Sequence, residues 1–272
     1  MTLLDTNQTC AVVTGAASGI GRSLALQLAD AGNDVVITDV NEAGLEETRA
    51  AVEAKGVKVL VVKANMADFA DVEKFAVAAF DWADKPIGMV FANAGIHGLT
   101  PAIDPDLDLF AKVVGVNLMG PVHMTKAFLP RLMKQGRPSQ LVITGSQASF
   151  LAAPGMAPYV ATKHALWGYV DSVRIELLMA QSDVGVSLVA PSRVDSGLTR
   201  PQVEAYRTKG GDKAAEDYVA SMVGPDPIAE VIIREAKKRV FWIIPSHEPT
   251  LEIFKKRADA IIEAMPAGEI KV

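Results

Sequence analysis

Short apolar runs and longer helix-patterned segments alternate along almost the whole chain, and this alternation constrains the fold more than any single residue. The runs CAVVT (10–14), DVVIT (34–38), VKVLVV (57–62), GMVFA (88–92), QLVIT (140–144), VGVSLVA (184–190) and VFWII (240–244) are short and mostly rich in β-branched residues. Between them lie helical patterns at 19–31, 41–55, 68–84, 105–135, 157–181 and about 226–238, with a last amphipathic stretch at about 247–264. Strands without a polar face belong in a parallel sheet covered on both sides, and parallel neighbours need helical crossovers. The expected architecture is therefore α/β: one domain over residues 1–272, a Rossmann-type doubly wound parallel sheet of about seven strands with helices on both faces.

Two segments fall outside the alternation. Residues 192–223 carry Gly197, Gly210, Gly211 and many polar side chains, which predicts a loop covering the substrate. Residues 246–272 form a C-terminal helical extension that can lie on the chain's own substrate loop or on a neighbouring subunit. Composition excludes several function classes. Net charge is -5 without long single-sign blocks, so no nucleic-acid footprint exists. Cys10, the only cysteine, lies in an apolar strand and reads as a structural thiol. The histidines at 97, 123, 164 and 247 lack metal-ligand spacing, and no metal is expected. No apolar stretch approaches the ~20 residues of a membrane span, and the N-terminus lacks a secretory pattern, so a cytoplasmic protein is expected.

Between the first strand and first helix stands Thr14-Gly15-Ala16-Ala17-Ser18-Gly19-Ile20-Gly21. Glycines here allow a tight turn, close approach of backbone to a pyrophosphate, and close packing of helix on sheet. Asp39 ends the second strand some 20 residues on, where a carboxylate accepts hydrogen bonds from ribose hydroxyls and repels a 2′-phosphate. No Arg or Lys follows in DVNEAG, so NAD is favoured over NADP. The competing reading makes Asp39 an N-cap for the helix starting near Glu42.

PYVATK (158–163) places Tyr159 and Lys163 one helical turn apart on one face. By itself this spacing also suits an ordinary helix surface. Oxidation of an alcohol by NAD, however, requires a base for the hydroxyl proton. Free phenol, with a pKa near ~10, is a poor one, and a nearby ammonium and a cationic nicotinamide favour the phenolate.

Taken in order, Thr14-Gly15-x3-Gly19-x-Gly21, Asp39, Asn93-Ala94-Gly95, Asn117, Ser146, Tyr159-x3-Lys163 and Pro191 resemble the short-chain dehydrogenase/reductase family over about residues 8–245. The resemblance implies a catalytic tetrad of Asn117, Ser146, Tyr159 and Lys163. In it Ser146 orients the substrate oxygen, Lys163 also holds the nicotinamide ribose, and Asn117 holds a water for proton relay. It further implies cofactor contacts from Thr14, Ser18, Ile20, Val40, Asn65, Met66, Asn93, Ala94, Gly95, Thr144, Pro191, Val194 and Ser196. The chain departs from the family at Ala92, where a second Asn is usual, at Asn65, often an Asp, and at Ser192, usually Gly. Ser192 bears on the geometry of its loop. Family members form dimers and tetramers through their fourth and fifth helices and last strand, so a homo-oligomer is expected.

Around the tetrad the sequence is apolar. Phe150, Met156 and Leu198, with His97 and Gln147 as polar additions and Ser146 and Tyr159 at the reacting oxygen, are the candidate substrate contacts; for the apolar ones, simple packing is the alternative. A free carboxylate or phosphate on the substrate is disfavoured, because no arginine but Arg193 is read as close to the motif. The expected function is hydride transfer between NAD(H) and a hydrophobic secondary alcohol or ketone. A 3-oxoacyl-thioester reductase, a hydroxysteroid dehydrogenase and a nonenzymatic NAD(H) sensor are the alternatives.

Overall fold

The computed structural model describes residues 9–245 and 248–263. Seven parallel strands form one sheet in the order β3-β2-β1-β4-β5-β6-β7. They are β1 (Cys10–Thr14), β2 (Asp34–Asp39), β3 (Val59–Lys63), β4 (Ile87–Ala92), β5 (Ser139–Thr144), β6 (Val184–Val189) and β7 (Trp242–Ile243). Side chains alternate between two cores. Cys10 and Val12 of β1 enter the one that also buries Phe75 and Phe128, while Ala11 and Val13 enter the other, with Leu24 and Ile232. Burial pushes the Cys10 thiol up to about 12, which makes it inert and structural.

The first core is roofed by α3 (Phe69–Trp82), α5 (Gly120–Lys134) and α6 (Ala157–Met179), the second by α1 (Gly19–Asp30), α2 (Glu42–Glu53) and α8 (Pro225–Lys237). Several helices start where a short polar side chain accepts an otherwise orphaned N–H: Asn41 from Gly44, Asp68 from Ala70, Asp106 from Leu109. Asn41 thus takes the capping role that Asp39 was a candidate for. Strand order reverses between β1 and β4, and the crevice at their C-terminal ends is where open α/β sheets bind ligands.

Two segments differ from the sequence expectation, and a third, the C-terminal extension, agrees with it where it is described. The pattern at 105–135 is α4 (Leu107–Val114), a π-helical segment Gly115–Met119, and α5, because the wider turn accommodates an extra residue at Asn117. Residues 192–223 are mostly helix, not loop: α7 (Arg200–Ala220) bends sharply at Gly211, whose φ of 77° and ψ of -177° suit only glycine. Polar composition disguised this helix. Its pairs Arg207–Glu204 and Lys213–Asp217 stabilise it from outside, and its two arms fold together so that Tyr206 and Tyr218 stack at 4.4 Å. Of the C-terminal extension, Glu248–Glu263 form α9, while 246–247 and 264–272, like 1–8, lie outside the described residues. No helix among the described residues is long and apolar enough to cross a membrane.

The start of α1 presses against the loop it leaves. A Cβ added at Gly21 would lie 2.1 Å from the Gly15 carbonyl oxygen, which no rotamer change relieves. Gly21→Ala is therefore expected to cost about 1–3 kcal/mol, read as a lower urea midpoint at unchanged m-value.

Candidate active site

The crevice opens into a cleft of about 1350 Å³ along the C-terminal ends of the strands, bounded by α7 and α9. Gly15, Ser18, Gly19, Ile20 and Asp39 line one end of it. Ser18 is the N-cap of α1 and makes no side-chain capping bond, so the first N–H groups of the helix face the cleft without an intrahelical partner. Arg22 holds the loop from behind, donating to the Ala17 carbonyl at 2.6 Å. Asp39 is oriented by the Ala17 N–H at 3.1 Å and the Asn41 N–H at 3.0 Å, which leaves lone pairs for hydroxyl donors. Across the cleft, Ser196 approaches Gly19 so closely that a Cβ there would meet the Ser196 Cβ at 2.9 Å. A glycine-rich loop, a helix N-terminus and an acceptor at the end of β2 fit a dinucleotide.

Thr14 and Asn93 join this loop to the one after β4. Thr14 Oγ1 donates to the Phe91 carbonyl and accepts from the Asn93 and Ala94 N–H groups at 2.9 Å, while Asn93 Nδ2 donates back to the Thr14 carbonyl. Asn93 Oδ1 in turn accepts from Thr144 at the end of β5. Ala94, Gly95, Thr144, Pro191, Val194 and Ser196 continue the lining. Ser192 has no left-handed backbone, so this loop has no need of a glycine there.

In the middle stand the candidate catalytic residues. Tyr159 and Lys163 are both buried near the start of α6, where Pro158 lies in the first turn. Lys163 is 3% exposed, donates from Nζ to the Thr144 carbonyl at 2.7 Å, and lies 5.6 Å from the centre of the Tyr159 ring. Ser146 is fixed by a capping box, its hydroxyl accepting the Ala148 N–H at 3.1 Å, and it hydrogen-bonds Tyr159. Burial raises the Tyr159 phenol above its ordinary value, and the Ser146 bond opposes the rise. Lys163 was expected to lower the phenol; in the protein alone, burial outweighs any such help. Burial also pushes Lys163 itself down to about 8.

Asn117 sits inside the π-helical segment, fully buried, with Oδ1 accepting the Ile96 N–H at 2.8 Å and Nδ2 donating to the Ile96 carbonyl at 2.9 Å. Its side chain braces the loop that carries His97. The His97 ring stacks on Tyr159, 4.4 Å between centres and 9° from parallel, and its Nε2 contacts the Gln202 amide of α7. Burial, reinforced by Lys163, pushes His97 down to about 4, so it is neutral at ordinary pH.

His97, Gln147, Met156 and Leu198 line the cleft as expected. Phe150 does not: it is buried among Trp167, Trp242 and Phe254, the last at 4.9 Å, because an aromatic cluster offers it more apolar contact than the cleft wall. Thr14 and Gly21 lie behind the glycine loop, and Met66 is buried beneath. Val40 is 61% exposed, and Asn65 is exposed with Oδ1 holding its own turn through the Ala67 N–H. Gln202, Tyr206, Lys209 and Tyr218 of α7 and Ile253 and Arg257 of α9 line the cleft without having been singled out. Their segments were assigned to a loop and an unplaced extension; only Gly197, Gly210 and Gly211 hinted at a cover.

Comparison with known proteins agrees with this geometry. The family described as short chain dehydrogenase matches residues 9–207. The 1-deoxy-11-beta-hydroxypentalenate dehydrogenase of Streptomyces avermitilis is 40% identical over 215 residues, covering 78% of each chain. A short-chain dehydrogenase/reductase from Burkholderia phymatum, solved in complex with NAD, superposes with a TM-score of 0.86 at 27% identity over 99% of this chain and 100% of that one. An alcohol dehydrogenase from the archaeon Thermococcus sibiricus, complexed with 5-hydroxy-NADP, gives 0.74 at 26% identity over 87% of this chain and 95% of its own.

The depressed Lys163 sets a pH dependence of stability. Between its folded value of about 8 and its ordinary value of 10.5 the unfolded chain binds more protons, so stability rises with pH in that window. From pH 7 to pH 9.5 the wild type should gain about 2 kcal/mol relative to Lys163→Met, measured by urea denaturation of both at each pH.

Proposed function

The chain belongs to the short-chain dehydrogenase/reductase family and is an oxidoreductase, and from that premise we propose that it interconverts a hydrophobic secondary alcohol and its ketone with NAD(H), Tyr159 serving as general acid/base. The observation that carries the reading is the buried Ser146–Tyr159 hydrogen bond inside a cleft whose other end is the glycine loop, with Lys163 one helical turn from the tyrosine.

NAD, when bound, supplies the hydride acceptor. Gly15, Ser18, Gly19 and Ile20 would hold its pyrophosphate, Asp39 its adenosine ribose, and Lys163 its nicotinamide ribose. In alcohol oxidation Ser146 Oγ holds the substrate oxygen and Tyr159 Oη takes the hydroxyl proton; in ketone reduction the proton moves from Tyr159 Oη to the substrate oxygen. A Lys163 ammonium one helical turn away, together with a cationic nicotinamide, would favour the phenolate form. Asn117 acts from behind by fixing Ile96, and with it His97, against the Tyr159 ring.

Apolar walls support a hydrophobic substrate: Leu99, Pro101, Leu151, Met156, Leu198 and Ile253 face the cleft. The Streptomyces relative is named for dehydrogenation of a hydroxylated compound, which favours the alcohol dehydrogenase reading over thioester reduction. Asp39 supports NAD rather than NADP. Exposed Ile175, Leu178 and Met179 on α6 and Met133 on α5 support association of copies through these helices.

Tyr159→Phe is expected to lower kcat by roughly 10²–10⁴-fold while NADH affinity, followed by fluorescence titration, stays within a small factor. Near-normal turnover would remove Tyr159 from the chemistry. Comparison of kcat/KM for the two cofactors should favour NAD, and the preference should narrow in Asp39→Asn; a wild-type preference for NADP would overturn that assignment.

A further inference from the structure

The cleft carries more positive charge than hydride transfer uses. Besides Lys163, its lining includes Arg193 after β6, Lys209 on α7 and Arg257 on α9, whereas among the described residues its one carboxylate is Asp39, at the glycine-loop end. Elsewhere cations are neutralised by acids: Arg49 by Glu46 and Glu53, Arg131 by Glu73, and on α7 itself Arg207 by Glu204 and Asp212 and Lys213 by Asp217. The cleft cations have neutral partners. Arg193 donates to Ser221 Oγ at 3.0 Å and lies over the Tyr218 ring at 5.3 Å; Arg257 donates to the Phe150 carbonyl at 2.8 Å. Arg193, Arg257 and Lys209 are all exposed, and Lys209 makes no ion pair among the described residues.

Such an arrangement in a chain of net charge -5 concentrates positive potential where walls are otherwise apolar. Arg257 is also held in place. Among the described residues one of its five N–H groups is used, by Phe150, and Phe254, one turn before it, packs on Phe150 and Trp167, so within that set the guanidinium keeps donors for a planar anion. The phosphates of a dinucleotide have their own place at the start of α1, among the glycines.

We infer that Arg257 and Lys209, with Arg193, recognise a carboxylate on the substrate, so that the alcohol or ketone is part of a hydrophobic hydroxy or keto acid. This departs from the expectation that an acid group is disfavoured, which considered Arg193 alone; α9 brings Arg257 to the cleft as well. The inference rests on the dehydrogenase reading for the identity of the reacting group, and on the cleft charges for the acid.

The test pairs 4-hydroxycyclohexanecarboxylate with its methyl ester. The wild type should favour the acid at least tenfold in kcat/KM, mainly through KM, and added salt should shrink the ratio. Lys209→Met, at an exposed position, and Arg257→Met should each bring the ratio severalfold closer to one. A wild type that treats acid and ester alike, or a ratio that survives both substitutions, overturns the inference. Calorimetric binding of the same two compounds to the NADH-saturated protein separates it from the reading it rests on. Tighter binding of the acid, weakened in both variants, supports the carboxylate site even if neither compound is turned over, and equal binding overturns it. So does a parallel loss of NADH affinity in the variants, which would assign these cations to cofactor phosphates.

Discussion

The geometry of the cleft depends on the bonds that Thr14 makes to the loop after β4. One hydroxyl gathers the Phe91 carbonyl and the N–H groups of Asn93 and Ala94, and Asn93 passes the connection on to Thr144. The β1–β4 ladder ends at Val13 and Phe91, and these bonds continue the connection beyond it. They fix the glycine loop on one side relative to Thr144 on the other, and the Thr144 carbonyl is what positions the Lys163 ammonium.

The candidate catalytic groups take much of their placement from backbone, with the Ser146–Tyr159 bond joining two of them. Lys163 is held by a carbonyl, Ser146 by its capping box, and the loop behind Tyr159 by the two bonds of Asn117 to Ile96. The π-helical turn is what brings Asn117 to face that loop while α4 and α5 stay on the sheet. Tyr159 is thereby enclosed between Ser146, the His97 ring and Lys163. Burial raises its pKa in that setting, and the Ser146 bond opposes the rise.

Strands and sheet class were legible because apolar β-branched runs such as CAVVT and QLVIT are buried on both sides, and that is a local signal. The glycine loop, Asp39 and the Tyr159–Lys163 pair were legible because spacing alone puts them at strand ends or on one helix face. What could not be read was set by distant contacts. α7 is polar and carries glycines, and its helical state rests on exposed ion pairs and on the meeting of its own arms. Phe150 looks like a pocket wall until Trp167, Trp242 and Phe254 surround it. Arg257 lies nearly a hundred residues beyond Lys163 in the chain, and only the return of α9 to the Phe150 loop brings it to the cleft.

The bend at Gly211 has a consequence of scale. Tyr206 and Tyr218 are twelve positions apart, and in an unbroken α-helix they would stand roughly 18 Å from each other. Their rings instead stack at 4.4 Å, so the segment is a clasp folded on one residue rather than a rod. A rod of twenty-one residues would run about 30 Å and carry its far half away from the mouth of the cleft. One achiral residue thus keeps both arms of the segment, through Tyr206 and Tyr218, on the lining of the cleft.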